Sequence, residues 1–188
     1  VRIGADAVAA HAPAFLKPTS VRHLIDFLAP IAEAAEPLPF VGTVAFAGGP
    51  GDSVIAVLGL SLENRALSFQ REGNVFVARY RVSIDFRREG APPVDLVREE
   101  VVRVPTFQET QRADESVLFQ QVLRIVPGTY NVTVTLRDAG STSESRATAP
   151  FVAPTFGAVS HSAPILVYQA TGRGSLADPL AVVLNPRG

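Results

Sequence analysis

Cysteine, methionine and tryptophan are absent from the 188 residues of this chain. Without cysteine, these residues offer no disulfide framework, no thiol nucleophile, no thiolate ligand for a metal and no lipidated N-terminal cysteine. The sequence opens on Val1 instead of a methionine, from which we expect a processed or incomplete chain. A periplasmic or other extracytoplasmic location, peripheral to a membrane, is therefore favoured, and a cytosolic one stays open.

An excess of charge of one sign is also lacking, since 17 lysines and arginines are balanced by 18 aspartates and glutamates, for a net charge of −1. Without a basic stripe there is nothing to displace counterions from a nucleic acid, and we predict no nucleic-acid partner. No apolar run approaches the roughly 20 residues that cross a bilayer, so we expect no transmembrane segment in these residues. The hydrophobic fraction of 47% is nevertheless ample for a folded core.

What the chain does contain is a two-residue hydrophobic period, which is clearest in residues 116–138. Its second half alternates apolar and polar residues from Tyr130 onwards, the pattern of a strand with one buried and one solvated face. The pair Pro127-Gly128 before it predicts a turn. We interpret Tyr130 as a tyrosine corner, in which the hydroxyl ties the turn of an immunoglobulin-like fold to nearby backbone.

Short segments of this kind recur about every 8–12 residues between turn residues, which is typical of an all-β sandwich. The fold we predict is an immunoglobulin-like antiparallel β-sandwich with extended N- and C-terminal arms and one short N-terminal helix. The predicted domains are an arm with a Pro/Gly-rich linker over 1–52, the sandwich over 53–154 and a second arm over 155–188. The predicted strands cover residues 54–62, 66–69, 76–86, 94–104 with a bulge, 107–112 at an edge, 116–126, 129–138 and 145–152.

The expected helix lies near residues 21–29. Its apolar residues Val21, Leu24, Ile25 and Leu28 recur at i, i+3, i+4 and i+7, and Ser20 precedes them as an N-cap. Ordering its nine residues costs about 9–18 kcal/mol of backbone entropy, whereas burying four such side chains returns about 6–12 kcal/mol. The helix is therefore expected to dock on the sandwich or on a partner.

Two stretches of the chain resemble the region that precedes the signature motif in bacterial GWxTD-domain proteins. They are LSLENRALSFQREGNVFVARYRVSIDF at residues 60–86 and FQETQRADESVLFQQVLRIVPGTYNVTVTLRD at residues 107–138. The resemblance implies an exported β-sandwich protein and assigns no reaction. The Gly-Trp-x-Thr-Asp signature itself is absent because the chain has no tryptophan, so no role of that motif is carried over.

Residues that could carry chemistry are few and scattered. The three histidines, His11, His23 and His161, are far apart in the sequence, whereas zinc or a catalytic triad needs imidazoles that converge with carboxylates or hydroxyls. The adjacent carboxylates at 99–100 and 114–115 point to opposite faces of an extended chain and share no cleft. We therefore predict no enzyme, no catalytic residue, no metal site and no cofactor.

Both predicted arms carry apolar side chains that a compact sandwich has limited room to cover. Either the arms wrap the sandwich as extra strands or they lie along another protein. The second alternative leads to our functional hypothesis, a non-catalytic accessory or scaffold subunit that stabilises a larger assembly, for instance the extramembrane face of a photosynthetic or respiratory complex. The partner contacts predicted from this hypothesis are Phe15, Leu16, Leu24, Ile25, Leu28, Phe40, Ile165, Leu166, Leu180 and Leu184.

The alternative hypothesis is a free-standing exported module that binds a ligand or a carbohydrate. Sugar-binding sandwiches usually stack sugar rings on exposed aromatic side chains. Tyr80 and Tyr130 are assigned to core and corner positions, which leaves Tyr168 as the tyrosine free to do this. That distribution favours the accessory subunit over the carbohydrate-binding module.

Overall fold

A computed structural model describes residues 38–157 and 162–187 of the chain. These residues form antiparallel sheets in a sandwich-like arrangement, with a four-residue helix α1 at Phe107–Thr110 and a 3₁₀ turn at Asn64–Ala66. The mostly-β character predicted from the sequence is thus confirmed. The strands are β1 (Phe40–Gly48), β2 (Val54–Glu63), β3 (Gln70–Glu72), β4 (Val75–Arg88), β5 (Val94–Val104), β6 (Ser116–Ile125), β7 (Gly128–Asp138), β8 (Glu144–Ala153), β9 (Val167–Thr171) and β10 (Ala181–Leu184).

Two sheets make up the body, and a hairpin lies outside them. One sheet has the strand order β1-β2-β6 and the other has the order β5-β4-β7-β8. Val82 shows the arrangement of the larger sheet, since it pairs with Arg98 of β5 on one side and Leu136 of β7 on the other. The short β3 pairs with the start of β4, and β9 pairs with β10 in the hairpin.

The core between the sheets follows the two-residue period. Alternate residues of β4 and β7, among them Val82, Ile84 and Val134, are buried, as the sequence predicts. Facing them are the inner residues of β2, such as Leu58 and Leu60. Fully burying a side chain of this size stabilises the fold by about 1.5–3 kcal/mol relative to leaving it exposed. The two alternating strands therefore hold the larger sheet against the smaller one.

Strand β2 differs from the other strands because every residue from Val54 to Leu62 is buried. Its inner face, for example Leu58, packs into the core between the sheets. Its outer face carries Ile55 and Val57, which form a second apolar cluster with Leu184 of β10. A strand that is covered on both sides reads as a continuous apolar run instead of an alternation. The β9–β10 hairpin is thus a third layer over β2.

The Pro/Gly-rich linker predicted within residues 1–52 is wrong where it covers Phe40–Gly48, because these residues form strand β1, paired with β2 from Leu62 to Val54. Its inner face alternates, and Phe40, Val44 and Phe46 pack against the core. The glycines and prolines around this alternation favoured a linker. They instead form the β1–β2 turn, in which Gly51 has a φ of 61° that few other residues adopt. The sandwich therefore begins before the predicted boundary at residue 53.

Three smaller predictions are also wrong. Strand β5 has no bulge, since its register with β4 runs unbroken from Phe76↔Val104 to Phe86↔Val94. Residues 107–112 hold α1 instead of an edge strand, because Thr106 and Glu109 form a capping box that starts a helix. The predicted strand at 66–69 is replaced by the 3₁₀ turn and the loop after it. The bulge was predicted because Val97 and Val101 disturb the alternation of β5, but both valines sit on its solvent-exposed face.

Candidate functional site

A concave surface of the described residues lies between the free edges of β5 and β6. Within residues 38–157 and 162–187, β5 pairs with β4 alone and β6 pairs with β2 alone, so each strand keeps one free edge. A groove of about 440 Å³ opens between these edges. Among the residues that line it are Asn64, Tyr80, Glu100, Val102, Glu115 and Val117.

The opposite side of the sandwich is closed by contacts between β1 and β8. The Leu38 amide nitrogen donates to the Ser145 hydroxyl at 2.8 Å. Farther along the same seam, the rings of Phe46 and Phe151 lie with their centroids 5.3 Å apart. The two sides of the sandwich therefore differ, because side chains fill the space between β1 and β8 and leave a groove between β5 and β6.

Tyr80 and Glu100 form the polar centre of the groove. They are direct partners in the β4–β5 register, so both side chains project from the inner face of the sheet. Tyr80 is only 2% exposed. Burial raises the pKa of its hydroxyl, and the Glu100 carboxylate raises it further. Tyr80 therefore stays protonated at neutral pH, where it offers a hydrogen-bond donor beside a carboxylate acceptor.

A polar cluster forms one end of the groove. The buried Asn64 side chain donates to the Glu109 carbonyl at 3.2 Å and to Glu115 Oε2 at 3.4 Å, which joins α1 to the start of β6. Arg112 forms ion pairs with Glu115 at 2.6 Å and with Asp114 at 2.7 Å. The hydrogen bond from Arg112 lowers the pKa of Asp114 to about 2. Charges at this end are thus satisfied locally, in contrast to Glu100.

Tyr130 lies at the start of β7, directly after the β6–β7 connection. Its hydroxyl donates to the Val126 carbonyl at 2.9 Å. Its ring stacks on Phe151 of β8, with the centroids 5.2 Å apart and the planes 12° apart. The side chain therefore links the turn before β7 to the neighbouring strand.

Of the predicted partner-contact residues, the structure describes five and does not gather those five into one exposed surface. Phe15, Leu16, Leu24, Ile25 and Leu28, with the helix near 21–29, lie outside the described residues. Phe40 packs against the core, and Ile165 and Leu180 pack against the cluster around Leu184.

Leu184 is the clearest correction to the predicted contacts, since its exposure is 0% and it lies inside its own chain. Leu166 is different. Its side chain is 60% exposed, next to Tyr168 at 64%. Of the four contacts predicted in the C-terminal segment, Leu166 alone is largely solvent-exposed in the described residues.

The hairpin is held on the sandwich by polar side chains that the sequence did not single out. The Gln120 amide nitrogen donates to the Val182 carbonyl at 2.7 Å, and its oxygen accepts from the Leu184 amide at 2.9 Å. Arg173 donates to the Gly48 carbonyl at 2.6 Å. A glutamine in an alternating strand looks like any solvated residue, because nothing in the sequence reveals that another strand lies over it.

The described residues hold no group of three or more histidine, cysteine, aspartate or glutamate side chains placed to bind a metal ion. The three histidines lie outside the described residues. Among residues 38–157 and 162–187, no helix has both the length and the apolar character needed to cross a membrane.

Comparisons with protein-family models, with curated proteins and with solved structures gave no match. The resemblance to GWxTD-domain proteins accordingly stays a prediction.

Proposed function

We propose that this chain is a non-catalytic accessory subunit that binds another protein through its β9–β10 hairpin. The observation that carries the proposal is the pair Leu166 and Tyr168, which are 60% and 64% exposed. They are two residues apart in an extended segment, so their side chains project to the same side. Large apolar side chains grouped on a solvent-facing strand are typical of a surface that another protein covers.

The way the hairpin is seated supports this proposal. The alternate residue Val167 packs towards the apolar cluster around Leu184, and Gln120 bonds the backbone of β10. Leu166 itself accepts a hydrogen bond from the Asn185 amide at 3.0 Å. A surface whose backbone is already fixed by such contacts loses little conformational entropy when a partner binds.

We also propose that the sandwich belongs to the immunoglobulin-like class. If β1, β2, β4, β5, β6, β7 and β8 are taken as strands A, B, C, C′, E, F and G, the sheets read A-B-E and C′-C-F-G. This order matches the class apart from the missing strand D. Tyr130 then lies at the start of strand F, and its bond to the Val126 carbonyl has the geometry of the corner in that class.

The cellular setting of the proposed subunit comes from the sequence. The resemblance to exported proteins supports an extracytoplasmic protein, peripheral to a membrane. Its partner is then the extramembrane part of a larger complex, of which photosynthetic and respiratory assemblies are examples. Apolar residues in the N-terminal 37 positions, such as Phe15 and Leu24, would add to the same contact.

The test compares two matched pairs of substitutions in the full chain. Leu166→Ser with Tyr168→Ser removes the proposed contact, and Val126→Ser with Val152→Ser removes two valines that are 49% and 52% exposed elsewhere on the sandwich. Each protein is cross-linked in native membranes and its bound subunits are identified. We expect one stoichiometric set of subunits with the wild type and the valine variant, and its loss with the Leu166/Tyr168 variant. Equal capture by both variants contradicts the proposal.

The groove between β5 and β6 favours a second candidate, a module that binds a small ligand. Its volume of about 440 Å³ falls in the range of about 300–1,000 Å³ that is usual for ligand sites. Tyr80 and Glu100 present a donor and an acceptor side by side there. Calorimetric titration with a carbohydrate and amine panel tests this candidate. Saturable binding that Glu100→Gln abolishes supports it, and no binding to the folded protein removes it.

A further inference from the structure

Strand β5 has a sequence that is complementary to itself when it is reversed about Glu99. We propose that two copies of this chain pair antiparallel through the free edge of β5, with a two-fold axis at Glu99. The inference is independent of the hairpin surface, which lies on the other sheet. The paired edges would join the two larger sheets into one continuous sheet of the order β8-β7-β4-β5-β5-β4-β7-β8.

The backbone of β5 is suited to such pairing. It spans 11 residues, Val94–Val104, and its register with β4 has no break. Within the described residues its second edge has no strand beside it. A long and regular free edge is a template for another strand. Val94, Val97 and Val101 on this strand are 48%, 44% and 41% exposed.

The register about Glu99 satisfies both the backbone and the side chains. An antiparallel ladder pairs residues of the same parity, and reversal about Glu99 does this throughout the strand. The opposed pairs are Val94 with Val104, Asp95 with Arg103, Leu96 with Val102, Val97 with Val101, and Arg98 with Glu100. Apolar residues thus meet apolar ones, and each charge apart from Glu99 meets its opposite.

Neighbouring registers lose this complementarity. Reversal about Arg98 places that residue opposite its own copy and sets Val97 against Glu99. Reversal about Glu100 sets Arg98 against Val102 and opposes the two Glu100 carboxylates. Like charges directly opposite one another destabilise a strand pair. The register about Glu99 is therefore preferred over its neighbours. It also has the symmetry of a closed two-fold dimer, in which residue i of one copy contacts residue j of the other and residue j contacts residue i.

Arg98 and Glu100 are the residues that select a second copy over other strands. Both belong to the inner face of the edge strand, by their pairing with Val82 and Tyr80. Neither forms an ion pair with any residue in the described part of the chain, and the Arg98 guanidinium reaches only its neighbour's carbonyl at Val97. Inward charges of this kind block pairing with an arbitrary strand. A second copy of β5 removes this obstacle, because in the antiparallel register its Glu100 lies opposite Arg98 and its Arg98 lies opposite Glu100.

Glu99 meets its own copy at the axis on the outer face of the sheet. Its partner in β4 is Arg81, so each Glu99 has an arginine beside it on the same face. The two arginines offset the repulsion between the two carboxylates. The axis therefore carries two carboxylates and two guanidinium groups, with no net charge.

Charge reversal with rescue tests the dimer in the full chain. Sedimentation velocity over a concentration series is expected to show a reversible wild-type dimer. Arg98→Glu and Glu100→Arg should each weaken it by about tenfold or more, since each opposes like charges twice. A one-to-one mixture of the R98E and E100R chains should regain the dimer, because both pairs between positions 98 and 100 are again of opposite sign. Arg124→Glu, on β6, is the matched control and should dimerise as the wild type does.

Several outcomes overturn the proposal. A wild type that sediments as a monomer at every concentration does so directly. A dimer that survives both R98E and E100R, or that R124E abolishes instead, places the interface elsewhere. A mixture that fails to restore the dimer shows that the two charges do not meet across it. Equal thermal midpoints of all the chains, measured at a concentration at which each is monomeric, show that each loss belongs to association and not to unfolding.

Discussion

Gln120 accepts a hydrogen bond from the Leu184 amide at 2.9 Å and so fastens the hairpin to the sandwich. The other half of the same amide group donates to the Val182 carbonyl at 2.7 Å. The amide of this one side chain thereby forms the two hydrogen bonds with the backbone of β10 that a neighbouring strand would form. It satisfies backbone groups next to the buried Leu184, where an unpaired donor or acceptor would be costly.

Replacing Gln120 with alanine is predicted to loosen the hairpin. Two partly buried backbone groups lose their partner, which costs about 1–3 kcal/mol. The measurement is the free energy of unfolding in urea, together with hydrogen exchange of the Leu184 amide, which should accelerate. Gln121→Ala is the control, since that amide bonds only the adjacent Val122 carbonyl. Equal exchange in the two variants would show that Gln120 does not hold the hairpin.

Gly59→Val is predicted to push the hairpin away from β2. A Cβ atom at this position would lie 3.1 Å from Leu184 Cδ1 and 3.3 Å from Pro186 Cγ. Overpacking of this kind usually costs about 1–3 kcal/mol. A lower thermal midpoint and faster exchange at Leu184 would report it. Gly172→Val is the control because a Cβ there meets nothing. A Gly59→Val protein as stable as the wild type would refute the close contact.

The sequence was informative where one face of a strand is buried and the other solvated. Strands β4 and β7 are of this kind, and their inner residues, such as Ile84 and Val134, follow from the period alone. The two-residue period was uninformative for strands that do not have one buried and one solvated face. Strand β2 is buried on both faces, and β5 carries apolar residues on both faces because it lies at an edge.

Other features depend on partners that are remote in sequence and could not be predicted locally. Strand β1 was hidden because the glycines of its turn resemble a linker, although its alternation from Phe40 to Phe46 was present in the sequence. Gly59 makes room for Leu184, which lies more than a hundred residues away in the sequence. The groove is set by the spacing of β5 and β6, which no single segment encodes. The capping box at Thr106 and Glu109 was, like the alternation of β1, a local signal that was overlooked.

Tyr130→Phe is predicted to destabilise the sandwich without altering its surface. The side chain is 6% exposed, and the substitution removes only the hydroxyl that donates to Val126. Leaving that carbonyl without its partner costs about 1 kcal/mol. Urea unfolding measures the loss, with Tyr168→Phe as the control because its ring is 64% exposed. Equal free energies of unfolding for the Tyr130 variant and the wild type would remove the corner assignment.

The last prediction concerns the ion pairs of Arg112 at the end of the groove. Arg112 holds the pKa of Asp114 near 2, below its ordinary value, chiefly through its hydrogen bond, with a backbone hydrogen bond and then the charge of Arg112 adding to the shift. Because the folded pKa is the lower one, the interaction favours folding above the unfolded pKa and is lost as the pH falls through about 2. Arg112→Gln should therefore raise the pKa of Asp114, which carboxyl NMR titration measures, while Arg124→Gln should leave it unchanged. An Asp114 pKa that is the same with and without Arg112 would show that the pair does not form in solution.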